Sequence, residues 1–339
     1  MHVDHYIRNR SCWANRSFDR YRRRDFAAMI FTRHAVCDFH GGHREPADTL
    51  FSCRQRRRNV GNRAFRRSGM RARIKGKGTI NMQESVEKIC ILDGGLTRVE
   101  DGSIYSPGVS VGVPATLSCN AYLIRHKAKW LLWDTGTPDA FYAHPGGKIV
   151  ADGMRAIVVR TIAAQFEMIG LSPDDVDIIM FWHAHYDHVG NSRLFRNAKW
   201  FVQQHEYEAM FGTQTDSFGY LPEFYSAMRD NEVELLQGDC DLFDDGAIRL
   251  IHTPGLTPGH CSLFVRLPRT GPVILGGDVA HNCLDLQYRR VPSFSTDREA
   301  SVASMRKIEE LARKEGARIW INHDTMQSAT LPHAPAWIY

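Results

Sequence analysis

His183-Ala184-His185-Tyr186-Asp187-His188 follows directly on an apolar run at residues 176–182 (VDIIMFW). Three histidines and an aspartate within six residues offer little to a hydrophobic core, yet they stand where a buried strand should emerge at a sheet edge. In extended or turning chain, residues two apart point to the same side, so His183 and His185 can present two imidazoles to one ion. Asp187 and His188 follow as the chain turns and can face a second ion or a bound water. Imidazole nitrogen and carboxylate oxygen suit Zn²⁺ and similar divalent ions, and a site built from them without cysteine commonly keeps a position open for water. The competing reading is a polar loop that happens to be rich in histidine; the spacing favours a metal.

Further ligands are available downstream. His260 ends TPGLTPGH (253–260), between the apolar runs 248–251 and 261–267; Asp278 ends PVILGGD (272–278); His323 ends RIWINH (318–323). Each stands just past a predicted strand, where a sheet edge gathers residues far apart in sequence.

The order HxHxDH, then a distant His, Asp and His, resembles the metallo-β-lactamase superfamily. The resemblance covers about residues 88–339. It implies that His183, His185 and His260 hold one divalent ion, that Asp187, His188 and His323 hold another, and that Asp278 bridges them, both ions most consistent with Zn²⁺. Within the superfamily the chain is similar to the N-acyl homoserine lactone lactonases. That likeness rests on TPGLTPGHCSL (253–263), on Trp133-Asp134-Thr135-Gly136, and on His323-Asp324 before a short tail ending in Tyr339. In those lactonases a tyrosine stands three residues after the bridging aspartate, where this chain has His281. A histidine there can donate a hydrogen bond or act as a general acid. His281 and Asp187 are therefore the candidate catalytic side chains.

The 339 residues divide by composition. Residues 1–80 hold 18 Arg and 2 Lys against 6 acidic residues, whereas the whole chain carries a formal net charge of only +5. Arg22-Arg23-Arg24 and Arg56-Arg57-Arg58 break up the few apolar runs. Such a segment buries too little apolar surface to offset the entropy of ordering its backbone. Residues 1–81 read as a disordered or non-catalytic extension ahead of a hydrolase domain at 82–339. The alternatives are an Arg-rich binding or targeting role and a metal role for His34, Cys37, His40 and His43; the aspartates, the scarcity of interleaved aromatics and the incomplete ligand set count against them. Nucleic acid is accordingly not an expected partner. No run approaches the ~20 apolar residues of a membrane span. Eight cysteines without a CxxC pair or a secretory leader read as reduced thiols in a cytoplasmic protein. Cys261 and Cys283 are expected as small buried thiols without chemistry.

From Val86 onward the chain alternates β and α. Strands are predicted at 89–92, 121–125, 129–133, 199–203 and 318–321, and helices at 157–169, 205–211 and 297–316, the first and last stopped by Gly170 and Gly316. Asp134, at the end of a strand, reads equally as a support for metal-bound histidines and as a turn residue bonded to its own backbone. Residues 212–245 are the least regular part, an aromatic-bearing insert that would cover substrate, form a homodimer or make a small satellite core. Periodicity alone gives an α/β fold; the resemblance implies an αββα sandwich.

Two cations a few ångströms apart would acidify a bridging water, and the resulting metal-bridging hydroxide attacks an ester carbonyl without help from serine or cysteine. The expected activity is lactone ring opening, with Asp187 relaying a proton to the departing alkoxide. Thioester hydrolysis resembling glyoxalase II and phosphodiester hydrolysis are the rivals. The tail LPHAPAWIY (331–339) lacks the basic residues expected for glutathione binding, and a di-iron oxidoreductase would carry a carboxylate in place of His185.

Overall fold

The computed structural model describes residues 85–339 apart from Asp152 and Gln214. The expectations for residues 1–81, including His34, Cys37, His40 and His43, lie outside the described residues.

Two sheets make up the fold. The first has eight strands in the order β4-β5-β1-β2-β3-β6-β7-β8 and the second five in the order β13-β12-β11-β10-β9. In the first sheet β1 (Lys88–Val99), β2 (Ala115–His126) and β3 (Lys129–Trp133) form an antiparallel meander. Then β6 (Ile178–Met180), β7 (Lys199–Gln203) and β8 (Val233–Leu236) add in parallel, and the hairpin β4 (Lys148–Ala151)–β5 (Met154–Ile157) closes the other edge. The second sheet comprises β9 (Cys240–Asp241), β10 (Ile248–His252), β11 (Cys261–Leu267), β12 (Gly271–Gly277) and β13 (Arg318–Ile321), of which only the β12–β13 pair is parallel.

Successive side chains of a strand alternate between faces, and the apolar runs use both. Ile89, Ile91, Tyr122, Ile124, Leu131 and Trp133 meet Leu250, Leu263, Val265, Val273 and Leu275 in a core between the sheets. Cys90, Leu92, Ala121, Leu123 and Leu132 turn the other way, toward Phe166 of helix Ile162–Met168 and Met210 of helix Gln204–Phe211. On the far side Phe264 and Ile274 pack against Met305 and Ile308 of helix Arg298–Glu315. The layers are therefore α, β, β, α, as the resemblance implied. No described helix is long and apolar enough to cross a membrane.

Local expectations fared unevenly. The helix predicted at 297–316 is present as Arg298–Glu315, capped by the Asp297 side chain on the Ala300 N–H at 2.9 Å and ended by Gly316. The helix predicted at 157–169 begins only at Ile162, because the Thr161 side chain caps it; Ile157 belongs to β5. Residues 212–245 supply short helical turns and the edge strand β8, with Tyr220, Tyr225 and Met228 buried in the helix-side core.

Leu250, Leu263 and Leu275 lie side by side across β10, β11 and β12, all fully buried between the sheets. Leu263→Ala is expected to lower unfolding stability by about 2–5 kcal/mol, measured by urea titration. A loss under roughly 1 kcal/mol would contradict this packing.

Candidate metal centre

The loops leaving β3, β6, β12 and β13, together with the β10–β11 turn, meet at one edge of the sandwich. One backbone bond pins the two sheets together there: the Cys261 N–H donates to the Trp182 carbonyl at 3.1 Å. On one side of that bond lies His183 and on the other His260, so joining the strands also joins the candidate ligands.

Asp278 occupies the middle. It follows Gly277, whose φ is +61° and where an added Cβ would lie 2.5 Å from the Trp182 ring. A residue with a side chain would be both strained and obstructed there. Asp278 Oδ1 lies 3.0 Å from His323 Nε2 and 3.3 Å from His188 Nε2, while Oδ2 lies 3.4 Å from His281 Nε2 and 3.9 Å from His183 Nε2. Asp187 adds its Oδ1 at 3.7 Å from His188 Nε2 and its Oδ2 at 3.8 Å from His323 Nε2. His183, His185 and Asp278 form one compact group of donor atoms, and His188, Asp278 and His323 form another. His260 is brought to the same edge, but its Nε2 accepts the Asp278 N–H at 3.1 Å and joins neither group.

Four of the imidazoles are oriented by what their other nitrogen touches. His323 Nδ1 donates to the Ser118 carbonyl at 2.7 Å, His260 Nδ1 to the Thr253 carbonyl at 2.9 Å, and His185 Nε2 to the Phe218 carbonyl at 2.9 Å. His188 Nδ1 meets Asp134 Oδ2 at 2.6 Å. A histidine that donates from one nitrogen offers a lone pair or a second N–H from the other, which is how neighbouring groups aim metal ligands. Asp134 sits in the left-handed region, φ +66°, and its Oδ1 accepts the Trp182 N–H at 3.0 Å. Its side chain thus supports His188 rather than capping its own turn.

The charges divide the centre. Burial lowers His183 well below the ordinary histidine range, with His185 adding to the effect, and burial takes His260 to about 4. Burial would lower His188 and His323 too, but nearby carboxylates outweigh it and hold both well above that range: Asp134, Asp278 and Asp187 for His188, and Asp278 for His323. Burial also opposes the charge of Asp278, yet His323, His188 and His183 keep its carboxyl well below the usual range. Several buried atoms have no hydrogen-bond partner, among them His183 Nδ1, His188 Nε2 and Asp278 Oδ1. Buried polar groups rarely stay unpaired. A divalent cation would satisfy His188 Nε2 and Asp278 Oδ1 at once, so these residues fit such an ion.

His281 is buried, stacked on His323 with ring centroids 5.2 Å apart, and flanked by Tyr105 at 4.5 Å. Phe294 closes this side, 6.1 Å from His281 and 6.2 Å from His185, with Tyr220 against His185. Cys261 is buried with its Sγ toward the Phe181 carbonyl, whereas Cys283, also expected to be buried, is partly exposed at the start of its helix.

Two residues were missed. Cys119, on β2, faces Asp187 and His323; its partners are 68 or more residues away, so no local pattern exposes it. Glu206 is the other. Its Oε1 accepts from the Ala184 N–H at 3.0 Å and from the Tyr220 hydroxyl, and its Oε2 accepts from the Thr257 hydroxyl at 2.9 Å and the Gly259 N–H at 3.0 Å. This one carboxylate ties the loop of His183 and His185 to the loop of His260. Burial pushes its pKa up against the pull of those donors. A signal was present: Glu206, Ala209 and Met210 form the buried face of their helix, and an acid on such a stripe needs partners.

Glu206→Gln is nearly isosteric but turns an NH₂ donor toward groups that already donate. It is expected to cost about 1–3 kcal/mol of unfolding stability, read by urea titration. An unchanged midpoint would show that the two loops do not depend on this carboxylate.

Against known proteins, a family model described as the metallo-beta-lactamase superfamily matches residues 115–315. N-acyl homoserine lactonase AttM of Rhizobium radiobacter is 30% identical over 249 residues, covering 65% of this chain and 94% of its own. An N-acyl homoserine lactonase of a Bacillus species is 27% identical over 262 residues, covering 75% of this chain and all of its own. Among solved structures, that of an N-acyl homoserine lactone hydrolase with its product N-hexanoyl-L-homoserine at the catalytic metal center superposes with a TM-score of 0.67 at 26% identity. It covers 75% of this chain and 100% of that one. The family match spans more than half of the sequence and the fold and ligand order agree with it: this chain belongs to the metallo-beta-lactamase superfamily.

Proposed function

We propose that the protein is a dinuclear metal-dependent hydrolase that opens the ring of N-acyl homoserine lactones or a closely similar lactone. The observation carrying this reading is the pair of donor groups that share Asp278, in a chain whose relatives at 26–30% identity include N-acyl homoserine lactonases. His183, His185 and His260 would hold one ion, Asp187, His188 and His323 the other, and Asp278 both, with His260 exchanging its hydrogen bond from the Asp278 amide for the metal. Two divalent ions, when bound, supply an acidified water and Lewis-acid polarisation of the ester carbonyl.

The chain's own residues would do the rest. His281, held between Tyr105 and His323, donates a hydrogen bond to a substrate oxygen at the position where related lactonases carry a tyrosine. Asp187 would take up the proton lost by the attacking water and pass it to the departing alkoxide, which converts a poor leaving group into a hydroxyl. Tyr105, Phe294 and Tyr220 wall the centre with aromatic surface, which suits the apolar part of an acylated ligand and limits water.

Acid release from a short-chain and a long-chain N-acyl homoserine lactone, followed by pH-stat with the zinc-loaded protein, tests the reading. Release is expected from both, falling to background in the chelated control. No release from either, alongside turnover of a thioester or phosphodiester, would move the function to another branch of the superfamily.

The charge division adds a second expectation. Nearby carboxylates raise the pKa values of His188 and His323 well above the ordinary histidine range, which favours their protonated forms in the metal-free protein at neutral pH. Loading zinc at pH 7 should therefore expel the protons of these two histidines, at least about two in all with any from an acidified water or thiol adding to them, and affinity should rise with pH until those groups titrate by themselves. Calorimetry in buffers of different ionisation enthalpy measures the count. Zinc uptake with no proton release would show that the two histidines are not displaced.

A further inference from the structure

Cys119 lies at the centre of β2, fully buried, with its Sγ 3.5 Å from Asp187 Oδ2 and 3.7 Å from Thr97 Oγ1. Its sulfur, a carboxylate oxygen of Asp187 and a ring nitrogen of His323 all lie within 4.8 Å of one another. Cys90 and Cys261 point instead at backbone carbonyls.

We propose that Cys119 is a thiolate ligand of the cation held by Asp187, His188, His323 and Asp278, making that position selective for thiophilic divalent ions such as zinc, cobalt or cadmium over magnesium, calcium or manganese. The inference rests on the metal reading above and adds a donor to it.

Three observations carry it. The first is distance. With a metal–sulfur bond of about 2.3 Å and a metal–oxygen bond of about 2.1 Å, sulfur and oxygen stand roughly 3.1–3.8 Å apart at the 90–120° angles of a five-coordinate ion; Cys119 Sγ and Asp187 Oδ2 are 3.5 Å apart. The second is a pair of unpaired groups beside His323, the residue that the two donor groups share. His188 Nε2 and Asp278 Oδ1 are buried without hydrogen-bond partners, and Asp278 Oδ1 lies 3.0 Å from the same His323 nitrogen that faces Cys119. The third is the division of Asp187 itself: Oδ1 faces His188 while Oδ2 faces His323 and Cys119. A carboxylate flanked by donors at both oxygens places sulfur and imidazole around one point. Soft sulfur then biases that point toward metals that tolerate thiolate, and away from ions that take oxygen ligands alone. On binding, the S–H bond breaks as the sulfur–metal bond forms, and the proton leaves to solvent.

The test uses cobalt(II) as probe on the full chain, read by absorption. Visible d–d bands report cobalt in the site, and a near-ultraviolet thiolate-to-cobalt charge-transfer band reports sulfur ligation. The wild type and a variant carrying Cys12→Ser, Cys37→Ser and Cys53→Ser are both expected to show the charge-transfer band. Cys119→Ser and Cys119→Ala are expected to lose it while keeping the d–d bands. X-ray absorption of the zinc-loaded triple variant, which leaves Cys119 untouched, should find a sulfur neighbour at about 2.3 Å even if neither Cys119 variant folds. Cobalt d–d bands without a charge-transfer band, a charge-transfer band surviving in the Cys119 variants, or a zinc shell of nitrogen and oxygen alone would overturn the ligand and leave the metal reading standing. Failure to take up cobalt or zinc at all would overturn both.

Discussion

Everything at this edge of the sandwich depends on keeping the carboxylate of Asp278 charged while it is only 4% exposed. An isolated carboxylate in such a place would neutralise. Here it is surrounded by His183, His188, His281 and His323, each with a ring nitrogen within 3.9 Å of one of its oxygens. That clustering requires β12 to stop at Gly277, close against Trp182, and β13 to deliver His323 from the neighbouring strand. The fold is in this sense a device for gathering imidazoles around an acid, and the same gathering supplies the open lone pairs a cation needs.

The two sides of Asp278 are not equivalent. Burial holds His183 and His260 below the ordinary histidine range, whereas carboxylates hold His188 and His323 above it. The difference has a structural source. His188 has Asp134 behind it, and His323 has Asp278 before it, while His260 has the Thr253 carbonyl and His185 the Phe218 carbonyl as neutral partners. A carboxylate behind a ligand raises its basicity and a carbonyl does so less. The position with the raised histidines is also the one where Cys119 stands, so the more anionic half of the centre is the half with the softer donor.

Legibility in the sequence followed the range of the interactions concerned. His183, His185, Asp187 and His188 could be read because a short apolar run aims them together, Asp278 and His323 because each follows the end of an apolar strand, and His260 because it stands immediately before one. The αββα order followed from the resemblance, since an apolar run does not say which sheet it joins. The segment 157–169 misled because Ile157 has helical spacing from Thr161 yet pairs with Leu96 in the sheet; a strand end and a helix start within five residues blur into one period. β8 is short and half exposed, so alternation there is weak. Cys119 was invisible for a different reason: its partners are brought near by tertiary structure, and a single buried thiol carries no pattern of its own. Glu206 left only the signal of an acid on a buried helix stripe, which does not say what it binds.

Trp182 shows why core and site cannot be separated. Its ring packs between the sheets, 4.7 Å from Trp133 and 6.2 Å from Tyr122, while its N–H donates to Asp134 and its carbonyl accepts from Cys261. The residue immediately after it is His183. Interiors are packed at crystal-like density and transmit small shifts. Any loosening beneath Trp182 therefore moves His183, unseats Asp134 from behind His188, and relaxes the bond that fixes His260 to the opposite sheet. The ligands of both proposed ions are set through one indole, and the precision of the centre is inherited from the interlayer core.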